Sequence, residues 1–271
     1  MLHRFIKILI TIMLILLAAN VNASSQTEKR LFKLLATEEV ASLSSAWLYD
    51  RDLKLVFDPE FLQAITPKYS IVKLRELKEN IENNELSAEQ MYPKKIITAG
   101  FSERISRTFG KPTVKLRIEN NDSRYSGSVT AFFSEDSTKY LASLDKGDAV
   151  PIVCESWDIS VGVALSGCQL IGEIWDSLFD WSAVKSTAKT NCTEKSKASA
   201  AIVLVANLSR YVNEEEINNV IRSEVERTDF KVTGRIRSGE NSPMSRLFEK
   251  GSKEAKGKEW KEKRCKALDE I

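Results

Sequence analysis

Serine and lysine side chains in this chain repeat a spacing that could support acyl transfer. A lysine three residues after a serine lies one helical turn away and can activate the serine hydroxyl without histidine. The pattern Ser-x-x-Lys occurs at Ser70/Lys73, Ser143/Lys146, Ser182/Lys185 and Ser186/Lys189. The companion motifs Lys-Thr-Gly and Ser-Asp-Asn are missing, as is the Gly-x-Ser-x-Gly elbow. Repeated copies of a short pattern without its companions indicate chance, so a Ser/Lys acyl hydrolase is the least favoured function.

The histidine content restricts catalysis further. The chain holds one histidine, His3, in a segment that we expect to be removed from the mature protein. A mature chain without histidine excludes Ser-His-Asp and Cys-His nucleophiles, histidine-ligated metals and histidine pH switches. Asp176 and Asp180 lie one turn apart and could form a paired-carboxylate site, but a solvated helix face beside packed aromatic residues is the simpler interpretation. We predict no catalytic residue, no metal ligand and no cofactor.

The N-terminus has the features of a secretory signal peptide. A short basic start ending at Lys7 precedes an almost wholly apolar stretch over residues 8–19, and Val21-Asn22-Ala23 offers a cleavage site. The apolar stretch is short for a bilayer span, which needs about 20 residues, although a retained N-terminal anchor is the alternative. No later stretch is long enough to span a membrane. The sequence predicts residues 1–23 as a signal peptide and a periplasmic or secreted, soluble and largely monomeric product.

Four cysteines, an even number, accompany the export signal. They are Cys154, Cys168, Cys192 and Cys265. Two disulfides are the economical interpretation in an oxidising compartment, and buried free thiols are the alternative. The sequence alone allows three pairings. We favour Cys154 with Cys168, because these two lie on neighbouring predicted strands, which leaves Cys192 to pair with Cys265.

Apolar periodicity divides the mature chain into three parts. Helical spacing predominates over residues 24–93 and again over residues 173–271. Between them, residues 94–172 alternate with a period of two, interrupted by polar turns that contain glycine. The predicted strands cover residues 96–101, 114–118, 129–133, 150–154 and 161–165. A turn at Gly110-Lys111-Pro112 separates the first two strands, and a short helix over residues 137–144 follows the third. Three strands, a short helix and two more strands are the order of the five-stranded OB barrel. The expected fold is α+β, a central OB-type barrel flanked by N-terminal and C-terminal helical regions.

Residues 79–172 also resemble a known family. The residues that carry the resemblance are Asn84, Ala88, Tyr92, Lys95, Gly100 and Ile105 around the first strand, the stretch from Leu141 to Lys146-Gly147-Asp148, and Val163-Ala164-Leu165 followed by Cys168. This pattern resembles the exported OB-fold family named for its likeness to tRNA anticodon-binding domains. Cys154 falls where members often place a partner cysteine. The resemblance implies an exported OB fold, and it implies neither catalytic residues nor an established substrate.

An OB barrel presents its binding face on strands two and three and on the adjoining loops. With aliphatic residues of the second predicted strand pointing inward, alternation places Thr113, Lys115 and Arg117 outward. Thr130 and Phe132 fall on the same face of the third strand, and the loop before the second strand adds further cations. The candidate ligand-binding residues are Arg104, Arg107, Lys111, Lys115, Arg117 and Phe132.

The charge of this face bears on the ligand. The stretch from Arg104 to Arg117 holds five positive charges and no acid, a composition suited to an anionic polymer or an acidic partner. A plain solvated sheet face is the alternative, since the net charge over the predicted barrel is near zero and alternating charges are ordinary on an exposed strand. We predict a non-catalytic binding protein whose ligand is a protein partner or an anionic component of the cell envelope. Single-stranded nucleic-acid binding is the alternative function, weakened by the export signal and the low charge.

Overall fold

A computed structural model describes residues 26–49, 55, 57–118, 127–159, 162–190, 192, 197–237, 239 and 241–254. Helices and one mixed β-sheet make up this part of the chain, which confirms the predicted α+β class. The predicted signal peptide, residues 1–23, lies outside the described residues, and so does Cys265. Cleavage of the leader and export therefore stay predictions.

The described sheet has seven strands. They are β1 Ser70–Ile71, β2 Ile96–Thr108, β3 Lys111–Ile118, β4 Gly127–Phe133, β5 Ala149–Cys154, β6 Ser156–Asp158 and β7 Ala164–Leu170. Antiparallel pairs join β2 to β3, β3 to β4, β7 to β5 and β5 back to β2, while β4 and β7 run parallel. Five strands therefore close a ring of hydrogen-bonded pairs. The two short strands lie beside it, β1 parallel to β2 and β6 antiparallel to β7.

Helices surround this ring. They are α1 over residues 26–46, α2 Pro59–Ile65, α3 Leu74–Asn83, α4 Glu85–Met91, α5 Thr138–Leu141, α6 Trp175–Leu178, α7 Trp181–Thr190, α8 Lys197–Tyr211, α9 Glu214–Glu226, α10 Thr228–Thr233 and α11 Pro243–Glu254. Short 3₁₀ turns cover Trp47–Tyr49, Glu135–Ser137 and Ile171–Glu173. None of the helices in the described ranges is both long and apolar enough to cross a membrane.

Local sequence explains where several helices begin. The Asp58 side chain accepts a hydrogen bond from the Phe61 N–H at 2.7 Å, and Pro59 occupies the first helical position of α2. Asn84 and Asn213 cap α4 and α9 in the same way. A cap oxygen satisfies one of the backbone N–H groups that a helix start leaves without a partner, which stabilises the helix by about 1 kcal/mol.

One apolar cluster fills the ring and a second lies among the helices. The inner cluster combines the inward residues of β3, β4 and β5 with Leu74, Leu77 and Ile81 of α3, which packs beside the strands. In the helical cluster, α1 meets the C-terminal helices directly: the rings of Phe32 and Trp181 lie 5.6 Å apart. The two predicted helical regions therefore share one core.

The strands differ in extent from those expected. The first predicted strand ended near Phe101, whereas β2 continues to Thr108, so Arg104 and Arg107 lie in a strand and not in a loop. The last strand was expected over residues 161–165 and instead runs Ala164–Leu170, with the unexpected β6 before it. Strand pairing decides both outcomes: β2 is extended by its hairpin with β3, and β7 is placed by its pairs with β4, β5 and β6. Short polar segments take their conformation from the neighbouring strand.

The favoured disulfide is present. Cys154 at the end of β5 and Cys168 in β7 are bonded, and both are fully buried. Cys192 is also disulfide-bonded. Its predicted partner, Cys265, lies outside the described residues, so that pairing stays a prediction.

Candidate functional site

The outer face of β3 and β4 carries the side chains that alternation predicted there. Inward residues on both strands are buried, among them Leu116 and Ala131, while Lys115, Arg117 and Phe132 keep part of their surface exposed. Thr113 differs from the prediction. It lies on this face but is buried. The Thr113 hydroxyl lies 3.1 Å from the Ser106 hydroxyl and 3.1 Å from the Thr108 hydroxyl, so these two side chains cover it. The alternation itself is confirmed.

Strand register places charged residues of both signs in one row across the sheet. Reading from β2 to β6, the row consists of Arg104, Lys115, Thr130, Ala164 and Asp158. A neighbouring row places Phe132 opposite Thr113. The face is therefore basic at its β2 side and acidic at its β6 side.

Two of the five predicted cations are neutralised by acids from other parts of the fold. Arg107 donates two hydrogen bonds to Glu135, at 2.8 and 2.9 Å, and holds the pKa of Glu135 below its usual range. Lys115 forms an ion pair with Glu103 at 3.1 Å. These pairs leave the face far less positive than the sequence of the hairpin indicates.

The other three cations have different surroundings. The Arg117 guanidinium lies 6.0 Å from the centre of the Phe101 ring, within cation–π range. Arg104 and Lys111 are exposed, and no acid in the described ranges forms an ion pair with either of them.

The turn between β2 and β3 exposes an aromatic side chain in a conformation that costs energy. Phe109 has φ 51° and Gly110 has φ 79°, so both central residues of this two-residue loop are left-handed. Hairpins of this kind favour Asn-Gly, because asparagine tolerates the left-handed region and phenylalanine does not. The Phe109 side chain is 87 % exposed. Packing within the described fold does not explain the choice of residue.

A bulge in β7 lies opposite Phe132. Pairing passes from Ala131 with Leu165 to Phe133 with Cys168, so β7 supplies two residues, Ser166 and Gly167, where β4 supplies one. Gly167 has φ 63°, which an L side chain rarely adopts. Bulges bend a strand and redirect neighbouring side chains, and they are frequent beside binding sites.

The turn, the outer face of β4 and the bulge enclose a groove of about 650 Å³. Phe109 and Phe132 contribute aromatic surface, with Lys111 on the β3 side and Asp158 on the β6 side. The volume falls within the range of about 300–1,000 Å³ that is typical of ligand sites, and the mixture of apolar surface with a few polar groups is typical as well.

The groove unites only part of the predicted site. Lys111 and Phe132 line it, and Arg107 reaches its rim through Glu135. The three remaining candidate residues, Arg104, Lys115 and Arg117, lie on the outer face of the sheet but outside the groove lining.

Sequence reasoning missed Phe109, Glu135 and Asp158. Gly110 between two alternating segments is a turn signal that could have placed the residue before it, Phe109, at the turn. The expected turn was instead one residue later, at Gly110-Lys111-Pro112. Asp158 carries no such signal, because its place depends on the pairing of β6 with β7.

The serine and lysine groups of the repeated pattern make other contacts. The Ser143 hydroxyl donates to the Tyr140 carbonyl at 2.7 Å, and the Ser182 hydroxyl donates to Asp180 at 2.9 Å. Lys73 forms an ion pair with Glu76 at 2.9 Å. These contacts suit turns and helix ends, which agrees with chance occurrence of the pattern.

Asp180 is a helix cap. Its carboxylate accepts hydrogen bonds from the Ser182 hydroxyl and from the backbone N–H of Ser182 and Ala183, which lowers its pKa. A general acid at neutral pH needs a raised pKa. The contacts therefore favour the structural interpretation of the Asp176 and Asp180 pair.

The pKa of Glu38 on α1 is raised, whereas that of Asp180 is lowered. Burial raises the pKa of Glu38 from 4.5 to about 7, helped by repulsion from Glu39 and Glu224 and opposed by Arg235 and Arg227. Glu224 is itself buried, with a raised pKa, and forms an ion pair with Arg227 at 2.9 Å. These charges join α1 to α9 and to the segment after α10. A perturbed pKa can mark a functional site, but ion-pair networks between packed helices perturb pKa values too.

The raised pKa of Glu38 predicts that the stability of the fold depends on pH. Between pH 4.5 and about 7 the folded state binds the Glu38 proton more tightly than the unfolded state, so the contribution of Glu38 to stability falls as the pH rises through this window. Glu38→Gln removes the cost of the buried charge. At about pH 8 we expect this variant to be more stable than wild type by about 2 kcal/mol, with little difference near pH 4. Urea unfolding across this pH range measures it.

The matched control is Glu226→Gln, which removes the same charge from an exposed position on α9. It should change the free energy of unfolding by no more than about 0.5 kcal/mol. Equal pH dependence in wild type and in Glu38→Gln would show that Glu38 does not titrate in this range.

Comparison with known proteins gives no match: no family model, no curated protein and no solved structure corresponds to this chain. The functional argument therefore rests on the residues and geometry described above. Among the described residues, no group of three or more histidine, cysteine, aspartate or glutamate side chains is placed to hold a metal ion.

Proposed function

We propose that the chain is a non-catalytic, exported binding protein that holds its ligand in the groove between the Phe109 turn, β4 and the β7 bulge. The exposed left-handed Phe109 carries this proposal. A residue that strains its turn by about 1 kcal/mol or more and stays 87 % exposed in the described fold is best explained by contact with a ligand.

The proposal includes a finer fold and a cellular location. The closed ring of β2, β3, β4, β7 and β5, with α5 between β4 and β5, agrees with the strand order of a five-stranded OB-type barrel. The groove uses the outer face of β4 and the turn between β2 and β3, which is where OB folds place their ligands. The buried disulfide agrees with an oxidising compartment and so with export.

The charge of the site favours a protein ligand over an anionic polymer. A polyanion needs many available cations, because each neutralised charge contributes a share of the affinity. Here Arg107 and Lys115 are ion-paired, and Glu135 and Asp158 line the groove itself. The same balance weakens single-stranded nucleic-acid binding, which the aromatic pair would otherwise suit.

The experiment is retention of native envelope components on immobilised protein, comparing wild type with the double variant Phe109→Asn/Phe132→Ser. We expect at least one component to be retained by wild type and lost by the variant, because both changes remove aromatic surface from the groove. Asparagine suits the left-handed turn, so Phe109→Asn alone should leave the free energy of unfolding unchanged or raise it by up to about 1 kcal/mol.

The control is Lys146→Glu, an exposed change in the turn before β5. It should retain the same components as wild type. If wild type and the double variant retain the same set, the groove is not the binding site.

A further inference from the structure

We infer that the groove holds an extended segment of a protein partner, which places an apolar side chain between Phe109 and Phe132 and a carboxylate on Lys111. This inference rests on the proposed function, because it names the ligand class of the same groove. The charge of the lining residues, their hydroxyl groups and the length of the groove support it in turn.

Lys111 carries the charge that the described fold leaves available to a ligand. Three charged residues line the groove, Lys111, Glu135 and Asp158. Glu135 accepts two hydrogen bonds from the Arg107 guanidinium, and Asp158 already interacts with another group of the chain. Lys111 is exposed, and no acid in the described ranges forms an ion pair with it. A carboxylate on the ligand therefore complements the groove.

The apolar part of the ligand follows from the two phenyl rings. Phe109 and Phe132 both line the groove, and neither ring brings a polar atom, so the surface between them suits an aromatic or large aliphatic side chain. Arg107 links the turn that carries Phe109 to the end of β4. Its guanidinium donates to the Gly110 carbonyl at 2.9 Å and also to Glu135, which follows β4. The aromatic surfaces are therefore positioned before a ligand arrives, which lowers the entropic cost of binding.

Two hydroxyl groups in the groove are available to a peptide backbone. Thr130 on β4 and Ser166 in the β7 bulge line the groove, and neither hydroxyl makes a hydrogen bond within the described part of the chain. A hydroxyl both donates and accepts hydrogen bonds. An extended segment presents N–H and C=O groups at every residue, so it can use both hydroxyls whatever its side chains are. The sequence preference then comes from the apolar anchor and the acid.

The strand register gives the distance between Lys111 and the aromatic surface of β4. Phe132 pairs with Thr113, so Lys111 lies one strand away and two residues along β3. With about 4.8 Å between strands and about 3.3 Å per residue, the Cα atoms of Lys111 and Phe132 lie about 8 Å apart. In an extended peptide, side chains two positions apart point to the same side and lie about 6.6 Å apart. The acidic residue should therefore lie two positions from the anchor.

The length of the groove favours a peptide over a small acid. The lining runs from Lys111 to Asp158 across three strand spacings and four residues along a strand, which is about 19 Å. An extended segment of about six residues spans this distance, whereas a small acid held at Lys111 would leave most of the lining uncovered. A polyanion would meet a single unpaired cation among the described lining residues and would gain little affinity from it.

The test is panning of a random library of 12-residue peptides, displayed on phage, against the whole protein. We expect the enriched peptides to share an aromatic or large aliphatic residue and an acidic residue two positions from it. Phe132→Ala should weaken the binding of a synthetic consensus peptide by at least about tenfold, because it removes aromatic surface from the contact. Panning against Lys111→Glu should select a basic residue in place of the acidic one.

The matched control is Arg104→Glu. Arg104 is also an exposed cation that forms no ion pair with an acid in the described ranges, but it lies outside the groove lining. Reversing its charge should leave the consensus of the wild type unchanged. Circular dichroism and urea unfolding check that each variant is folded.

Several results would overturn the peptide assignment. These are a failure to enrich any peptide, a consensus without an acidic residue, or the same consensus from Lys111→Glu as from Arg104→Glu. Binding of dodecanoate or oligothymidylate that is lost in Lys111→Glu, without any enriched peptide, would assign the groove to a small amphiphile or a polyanion. In each case, retention of envelope components that depends on Phe109 and Phe132 would still support the proposed binding function. Without that dependence, both proposals fail.

Discussion

Replacing Gly172 with alanine should lower the free energy of unfolding by about 3 kcal/mol or more. A Cβ atom at this position would lie 2.0 Å from the carbonyl oxygen of Phe230 and 2.9 Å from the Cα of Lys231. Both are backbone atoms of α10, so no side-chain rotation can make room, and the helix itself must move. That helix supplies Phe230 to the helical core and Val232 to the core of the ring. Its displacement would disturb both.

Chemical unfolding followed by tryptophan fluorescence and circular dichroism measures this effect. The matched control is Gly239→Ala, because a Cβ atom there meets nothing within 4 Å. That variant should be as stable as wild type or more stable by up to about 1 kcal/mol, since alanine restricts the unfolded chain. Equal stability of the two variants would contradict the close approach of α10 to Gly172.

Removing the Cys154–Cys168 disulfide should cost about 3 kcal/mol. The two cysteines are 14 residues apart in the chain, and in the chain-entropy model a crosslink over such a loop restricts the unfolded state by about that amount. The bond also joins β5 to β7 around β6, which carries Asp158 of the groove. The double variant Cys154→Ala/Cys168→Ala should therefore unfold at lower denaturant concentration and bind groove ligands less tightly.

Reductant supplies the control for this prediction. In the presence of dithiothreitol the bond opens in wild type, and the second disulfide, at Cys192, opens in both proteins alike. The difference in stability between wild type and the variant should then nearly vanish. A difference that persists under reductant would come from side-chain packing and not from the crosslink.

The residues that carry the family resemblance have structural roles in this fold. Asn84 caps α4, Ala88 is fully buried, and the Tyr92 hydroxyl accepts a hydrogen bond from Asn80 at 2.9 Å. At Gly100 a Cβ atom would lie 2.7 Å from the Cβ of Leu116, so the close approach of β2 and β3 requires glycine. These roles are structural, and none of them identifies a ligand.

The sequence by itself determined the features that depend on local periodicity and chemistry. Alternation identified the inward residues of β3 and β4, because a strand with one buried face must repeat apolar residues every second position. Local chemistry also sets the start of α9, where the Asn213 side chain accepts a hydrogen bond from the Glu215 N–H. The sequence allowed three cysteine pairings, and the one favoured from neighbouring predicted strands, Cys154 with Cys168, is confirmed.

The tertiary structure decided the features that depend on residues far apart in the chain. The neutralisation of Arg107 by Glu135 joins positions 28 residues apart, and β6 brings Asp158 to the groove only by pairing with β7. The raised pKa of Glu38 depends first on its burial in the folded chain, with smaller contributions from charges that include the distant Arg235 and Glu224. Hydrophobic periodicity does not say which charged residues form ion pairs across the fold. Many arrangements of the same helices and strands bury the same apolar surface but bring different charged residues together. The basic face predicted from one hairpin is therefore partly neutralised in the folded chain, and only Lys111 and Phe132 of its predicted residues line the groove.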